Sequence, residues 1–111
     1  MPAVTLSDGV LGLVTRRMQL LSDPLRVRLL LALQDGEASV QQLADAFDVE
    51  HRNASRSLNE LYRDGLLARR REGKRVLYSL ADYIACRLVG LAAESIAAQV
   101  EELSDLVLQS A

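Results

Sequence analysis

Residues 39–66 read SVQQLADAFDVEHRNASRSLNELYRDGL, and their pattern decides the fold. Ser39 carries the side-chain oxygen of a helix cap. Val40, Leu43, Ala44 and Phe47 then recur on one helical face, predicting a short helix from Val40 to Phe47. Asp48-Val49-Glu50 reads as a tight turn. A second helix follows from about His51 to Asp64, with Ala54, Leu58 and Leu61 turned inward and Gly65 as its stop. Its outward positions are polar and basic. Over residues 40–64 the unit is therefore helix, short turn, helix, the arrangement that lays a second helix in the major groove of DNA.

Immediately downstream, residues 66–80 read LLARRREGKRVLYSL. Val76, Tyr78 and Leu80 alternate, as in a strand with one buried face, and Gly73 supplies the backbone freedom of a hairpin turn. The expectation over 66–80 is a two-stranded hairpin with a basic tip, a wing suited to phosphate or minor-groove contact beside the second helix.

Upstream, a helix is predicted from Ser7 or Asp8 to Leu21, with Val10, Leu11, Val14, Met18 and Leu21 at helical spacing. Asp23 as cap and Pro24 at the first helical position start another, which presents Leu25, Leu29, Leu30 and Leu33 before Asp35-Gly36 ends it. After the wing, Asp82 caps a long last helix from Tyr83 to about Leu108. Its apolar stripe takes in Ile84, Leu88, Leu91 or Ala92, Ile96, Val100, Leu103 and Val107. That stripe is longer than a small monomer can cover. Residues 7–21 and 83–108 are accordingly expected to form a dimerisation layer.

The bulk numbers fit this reading. A chain of 111 residues makes one domain with one core, taken as 1–111; half its residues are apolar, a quarter are charged, and there is no Trp. The fold expected is mainly α with a small β-hairpin: five helices and a wing. Net charge is −2, but residues 50–80 hold eight basic and four acidic residues, a local +4 that leaves −6 elsewhere. A basic stretch on an acidic body is the electrostatic footprint of a polyanion-binding surface. No apolar run spans a bilayer, no secretory leader is visible and Cys86 is the single cysteine, so a cytoplasmic protein without membrane contact is expected.

Candidate contacts follow from side-chain chemistry. On the second helix of the pair, His51, Arg52, Asn53, Ser55, Arg56 and Asn59 lie along the outer, N-terminal part. Arg pairs bidentately with guanine, Asn with adenine, and Ser and His reach phosphates or base edges. In the wing the candidates are Lys74 and Arg75, with Arg70 and Arg71, of which strand alternation lets only some face DNA. Cys86 reads as a small buried hydrophobe, with redox sensing as the weaker alternative. No phosphate-cradling glycine loop, paired carboxylates or nucleophile–base set is present, so neither an enzyme nor a cofactor is expected. The competing reading is a non-catalytic winged-helix module that binds protein.

From Leu21 onward the chain resembles the ArsR/SmtB family of bacterial winged-helix repressors. Leu21-Ser22-Asp23-Pro24-Leu25-Arg26-Val27-Arg28-Leu29-Leu30 is similar to the family's L-x-D-P-T-R-L-x-I-L opening. The segment Ser39-Val40-Gln41-Gln42-Leu43-Ala44 follows. Ser55 to Leu66 is similar to S-x-H-L-x-x-L-x-x-A-G-L-V, and Arg70 to Leu80 looks like the family's wing. The resemblance implies a homodimer joined through its terminal helices, presenting two recognition helices to an inverted-repeat operator in double-stranded DNA. It also implies repression.

The chain departs from the family at its sensing sites. In the cysteine pattern E-L-C-V-C-D-L of many members, the two cysteine positions are here Ser39 and Gln41. The last-helix pattern D-x-H-x10-H-x2-E/H reads Asp82, Ile84, Ser95 and Ala98. Metal sensing through either site is therefore not expected, and the signal stays open between a small-molecule effector of unknown chemistry, oxidation of Cys86 and abundance alone. Ser57 stands where the family often has His, so family contacts do not transfer directly.

Overall fold

A computed structural model describes residues 4–110, with side chains up to residue 102. Helix α1 (Asp8–Leu20) starts where Ser7 Oγ accepts the Val10 N–H. Helix α2 (Pro24–Ala32) starts where Asp23 accepts the Leu25 N–H, with Pro24 in the first turn, where its missing N–H costs nothing. The start of α2 agrees with the reading of Asp23 as a cap. Beyond α2 a 3-10 turn (Leu33–Asp35) carries Leu33 into the core and ends at Gly36.

A two-residue strand β1 (Ala38–Ser39) follows, which periodicity does not predict. Helix α3 (Val40–Ala46) begins with a reciprocal capping box. Ser39 Oγ accepts the Gln42 N–H at 3.1 Å, and Gln42 Oε1 accepts the Ser39 N–H at 2.8 Å. The turn into helix α4 (His51–Arg63) holds Asp48 at φ 52, a left-handed conformation that short polar residues tolerate best. Gly65, at φ 84, ends α4 as expected.

Strands β2 (Leu67–Glu72) and β3 (Arg75–Leu80) pair antiparallel around Gly73-Lys74, with Gly73 at φ 63. The sheet has three strands rather than two: β1 pairs with β3, giving the order β1-β3-β2. The expected alternation along β3 is accordingly incomplete. Tyr78 and Leu80 are buried and Val76 is half-buried, but Leu77 on the opposite face is buried too. The cause is position: β3 is the central strand, flanked by β1 and β2, and it also contacts α3 and the 3-10 turn.

Leu29, Leu30, Leu58, Leu61 and Leu66 are fully buried and form the core with Leu33, Leu43 and Ala54. Removing each such leucine from water contributes roughly 1.5–3 kcal/mol. The core sits directly beneath α4. Two ion pairs also hold that helix: Arg26 of α2 to Glu60, and Arg17 of α1 to Asp64, with Nε to Oδ2 at 2.7 Å.

The chain divides into two units, the first ending at Ala81 and the second beginning at Asp82. In the second, Asp82 Oδ1 accepts the N–H groups of Ile84 and Ala85, capping helix α5 (Ile84–Ser110). At 27 residues α5 is about 40 Å long. Ile84, Leu91, Ile96 and Val100 of its apolar stripe are exposed, while Leu103 and Val107 lie outside the described side chains. Cys86 is buried, and burial followed by the Asp82 charge raises its thiol pKa, favouring the protonated form. No described helix is long and apolar enough to cross a membrane.

Candidate nucleic-acid interface

The inner face of α4 (Ala54, Ser57, Leu58, Leu61) is committed to the core, which turns its polar face outward by geometric necessity. His51, Arg52, Asn53 and Arg56 are exposed, and Ser55 and Asn59 are half-buried. Glu50 occupies the cap position but its side chain makes no cap hydrogen bond, so the first-turn N–H groups of α4 are not taken up by a side chain.

The α4 surface and the wing meet in an open concavity of about 1330 Å³. It is lined by His51, Arg52, Ser55, Arg56 and Asn59 from α4 and by Arg70, Arg71, Lys74 and Arg75 from the wing. Nine of the ten residues singled out from sequence therefore converge on one surface. Asn53 is exposed on α4 but is not among the lining residues.

Other residues complete the concavity that residue-type reasoning passed over: Gln41, Gln42 and Asp45 of α3, Tyr62 at the far end of α4, and Arg69 and Tyr78 of the sheet. Arg69 had a readable signal. It stands opposite Tyr78 in the ladder, and strand parity puts it on the same side as Arg71. Its guanidinium carbon lies 4.0 Å from the centre of the Tyr62 ring, and its Nη1 donates to Asn59 Oδ1 at 3.1 Å. The Tyr78 phenol beside it raises its pKa further.

The cations divide into two classes. Arg70 is taken up by carboxylates: Nε to Glu37 Oε2 at 3.0 Å, Nη2 to Glu37 Oε1 at 2.5 Å, and Nη2 to Glu72 Oε2 at 3.0 Å. The Arg70 guanidinium holds the Glu37 carboxyl below its ordinary value. Arg52, Arg56, Arg71, Lys74 and Arg75, by contrast, form no ion pair among the described residues. Uncompensated positive charge along a concave surface attracts a polyanion. No group of three or more His, Cys, Asp or Glu side chains suited to a metal ion occurs among the described residues.

Residues 21–70 match the family described as a helix-turn-helix domain. The regulator NmtR of Mycobacterium tuberculosis is 31% identical over 88 residues, spanning 79% of this chain and 73% of NmtR. A homodimeric winged helix-turn-helix DNA-binding domain from Mycobacterium bovis superposes with a TM-score of 0.70 at 31% identity, covering 85% of this chain and 90% of that one. The chain belongs to the ArsR/SmtB family. Similarity extends to the biofilm growth-associated repressor of Agrobacterium fabrum, 35% identical over 72 residues and 65% of this chain. This chain spans about three-fifths of that relative, 62% of its length. The five helices and small antiparallel wing are those of an ArsR/SmtB winged helix-turn-helix.

Proposed function

We propose that this ArsR/SmtB member is a sequence-specific regulator that represses transcription by occupying an inverted-repeat operator as a homodimer. The observation that carries the reading is the convergence of the α4 residues and the unpaired wing cations on one concavity. In this reading His51, Arg52, Asn53, Ser55, Arg56 and Asn59 meet base edges and phosphates, while Arg71, Lys74 and Arg75 bind the backbone beside the groove. Arg70 joins them only by giving up Glu37 and Glu72. Two copies joined through α1 and α5, the dimerisation layer read from 7–21 and 83–108, present their α4 helices to half-sites about 34–36 Å apart. Bound there, the dimer blocks polymerase.

The proposal assigns no catalysis, cofactor or metal. Its further partner is a small-molecule effector, and its compartment is the cytoplasm. The test is a mobility shift at moderate salt with DNA from upstream of the chain's own gene, competed with random duplex. Specific retardation by a dimer is expected. A folded dimer that binds no sequence in preference to random DNA overturns the proposal and favours a protein-binding winged helix instead.

A further inference from the structure

Asp45, exposed on α3, is the single acidic residue among the described residues that line the concavity. Seven arginines and lysines line the same surface, yet Asp45 forms an ion pair with none of them. Its carboxylate accepts one hydrogen bond, from Gln41 Nε2 at 2.8 Å, one turn earlier on the same helix. Glu37 and Glu72 do the opposite, since both are paired with Arg70. A carboxylate left unpaired beside unpaired cations is open, as they are, to a partner outside the chain.

Phosphate does not suit it. An uncompensated carboxylate repels phosphates, and phosphate contacts supply essentially all of the affinity for random DNA. The complement of a carboxylate on a duplex is a base amino group. In the major groove these are cytosine N4 and adenine N6. Cytosine is the better match, because adenine N6 has the acceptor N7 beside it.

We infer that Asp45 is a specificity-determining residue: it penalises docking on phosphates in random registers and accepts from cytosine N4 in the operator. The inference rests on the operator-binding reading and deepens it, because it gives α3 a share in reading sequence. The Gln41 bond suits the role. An ionised carboxylate has about four lone-pair sites, so one bond to Gln41 orients the group and leaves it free to accept from a base. A negative charge among cations lowers affinity for every duplex in the wrong register, and selectivity is that difference.

The experiment compares binding of the full chain to random duplex and to an operator that the wild type selects from a random pool. Titrated mobility shifts over a range of salt follow wild type, Asp45→Ala, Asp45→Asn and Asp35→Asn, and urea denaturation checks that each is folded. Asp45→Ala removes both charge and acceptor, whereas Asp45→Asn removes the charge and keeps an oxygen for Gln41. Asp35→Asn makes the same change of net charge at an exposed residue that does not line the concavity.

Both Asp45 variants are expected to bind random duplex about fivefold more tightly at low salt, the size of one charge pair about 4 Å apart in water. That gain shrinks as salt rises. Operator affinity of Asp45→Ala stays within about twofold of wild type, because the lost N4 contact offsets the relieved repulsion. Single-base substitution across the half-site then shows one cytosine preference that wild type has and Asp45→Ala lacks. Asp35→Asn matches wild type on both duplexes.

Equal gains on operator and random duplex would make Asp45 a uniform brake and overturn the inference. So would an unchanged affinity for random duplex, a gain in Asp45→Ala that Asp45→Asn lacks, or an equal gain in Asp35→Asn. A half-site whose every preference survives Asp45→Ala overturns it too. A folded wild type that enriches no sequence removes the operator reading and this inference together, whereas the other failures leave the operator reading intact.

Discussion

Helices α1 and α4 are both 13 residues long, yet α4 buries Ala54, Ser57, Leu58 and Leu61, and no residue of α1 is buried within the single chain. The difference lies in how each distributes its apolar residues. In α4 they form one narrow stripe that the core absorbs, so what faces outward is arginine, asparagine and serine. In α1 Val10, Leu11, Leu13 and Met18 remain exposed. A soluble domain that leaves large aliphatic side chains together on one helix presents a surface for an apolar partner, and one that leaves unpaired cations presents a surface for an anion. Under the proposed function, two helices of equal length would serve two recognition problems: α4 nucleic acid, and α1 a second copy.

The most damaging substitution should fall on the inner face of α4. Leu58 has no exposed surface, and Leu58→Ala is expected to destabilise the fold by about 2–5 kcal/mol, read from urea denaturation. A loss below about 0.5 kcal/mol, the level of an ordinary surface change, would erase the contrast with α1.

On the outer face of the same helix, Arg52→Ala or Arg56→Ala is expected to leave stability near wild type and to cost about 1–3 kcal/mol of specific DNA binding, measured by titrated mobility shift. Equal losses on specific and random DNA would demote the altered residue from base reader to phosphate contact.

Leu13 is 68% exposed. Leu13→Glu is expected to raise the dimer dissociation constant by at least about tenfold, the equivalent of 1.4 kcal/mol, because it would bury an unpaired charge between copies. Analytical ultracentrifugation measures it. An unchanged constant would remove α1 from the interface.

In the wing, Lys74→Ala should weaken binding to all sequences and lower the slope of log K against log salt by about 1. A sequence-dependent loss would mean that the tip reads bases.

The smallest effect concerns Glu37. Its folded pKa lies below the ordinary 4.5 because of Arg70, so the folded chain binds fewer protons here than the unfolded one. The stabilisation is present above about pH 4.5 and is lost as pH falls through the lowered folded value. Glu37→Gln should remove that dependence, as read from urea denaturation repeated across the acid pH range.

Much of this organisation is local and therefore legible. Ser39, Asp23 with Pro24, Gly65 and Asp82 act on N–H and C=O groups within a turn of themselves, so reading their identity and spacing amounts to reading their role. The same holds for the buried stripe Ala54, Leu58 and Leu61, whose spacing on one helix assigns their side. The candidate contacts on α4 were legible for the complementary reason: whatever the core does not take must face outward.

What sequence could not assign was the role of each arginine in the run Arg69-Arg70-Arg71. The three are chemically identical, and nothing local tells them apart. Tertiary structure separates them by strand parity and by distant partners. Arg69 meets Asn59 ten residues away, Arg70 meets Glu37 thirty-three residues away, and Arg71 meets no carboxylate among the described residues. Strand β1 was hidden likewise, because two residues carry no period and exist as a strand only through their pairing with Leu77 and Tyr78. Short-range hydrogen bonds and periodic burial are written residue by residue along the chain; partners brought together by sheet register and helix packing exist only once the whole domain has closed.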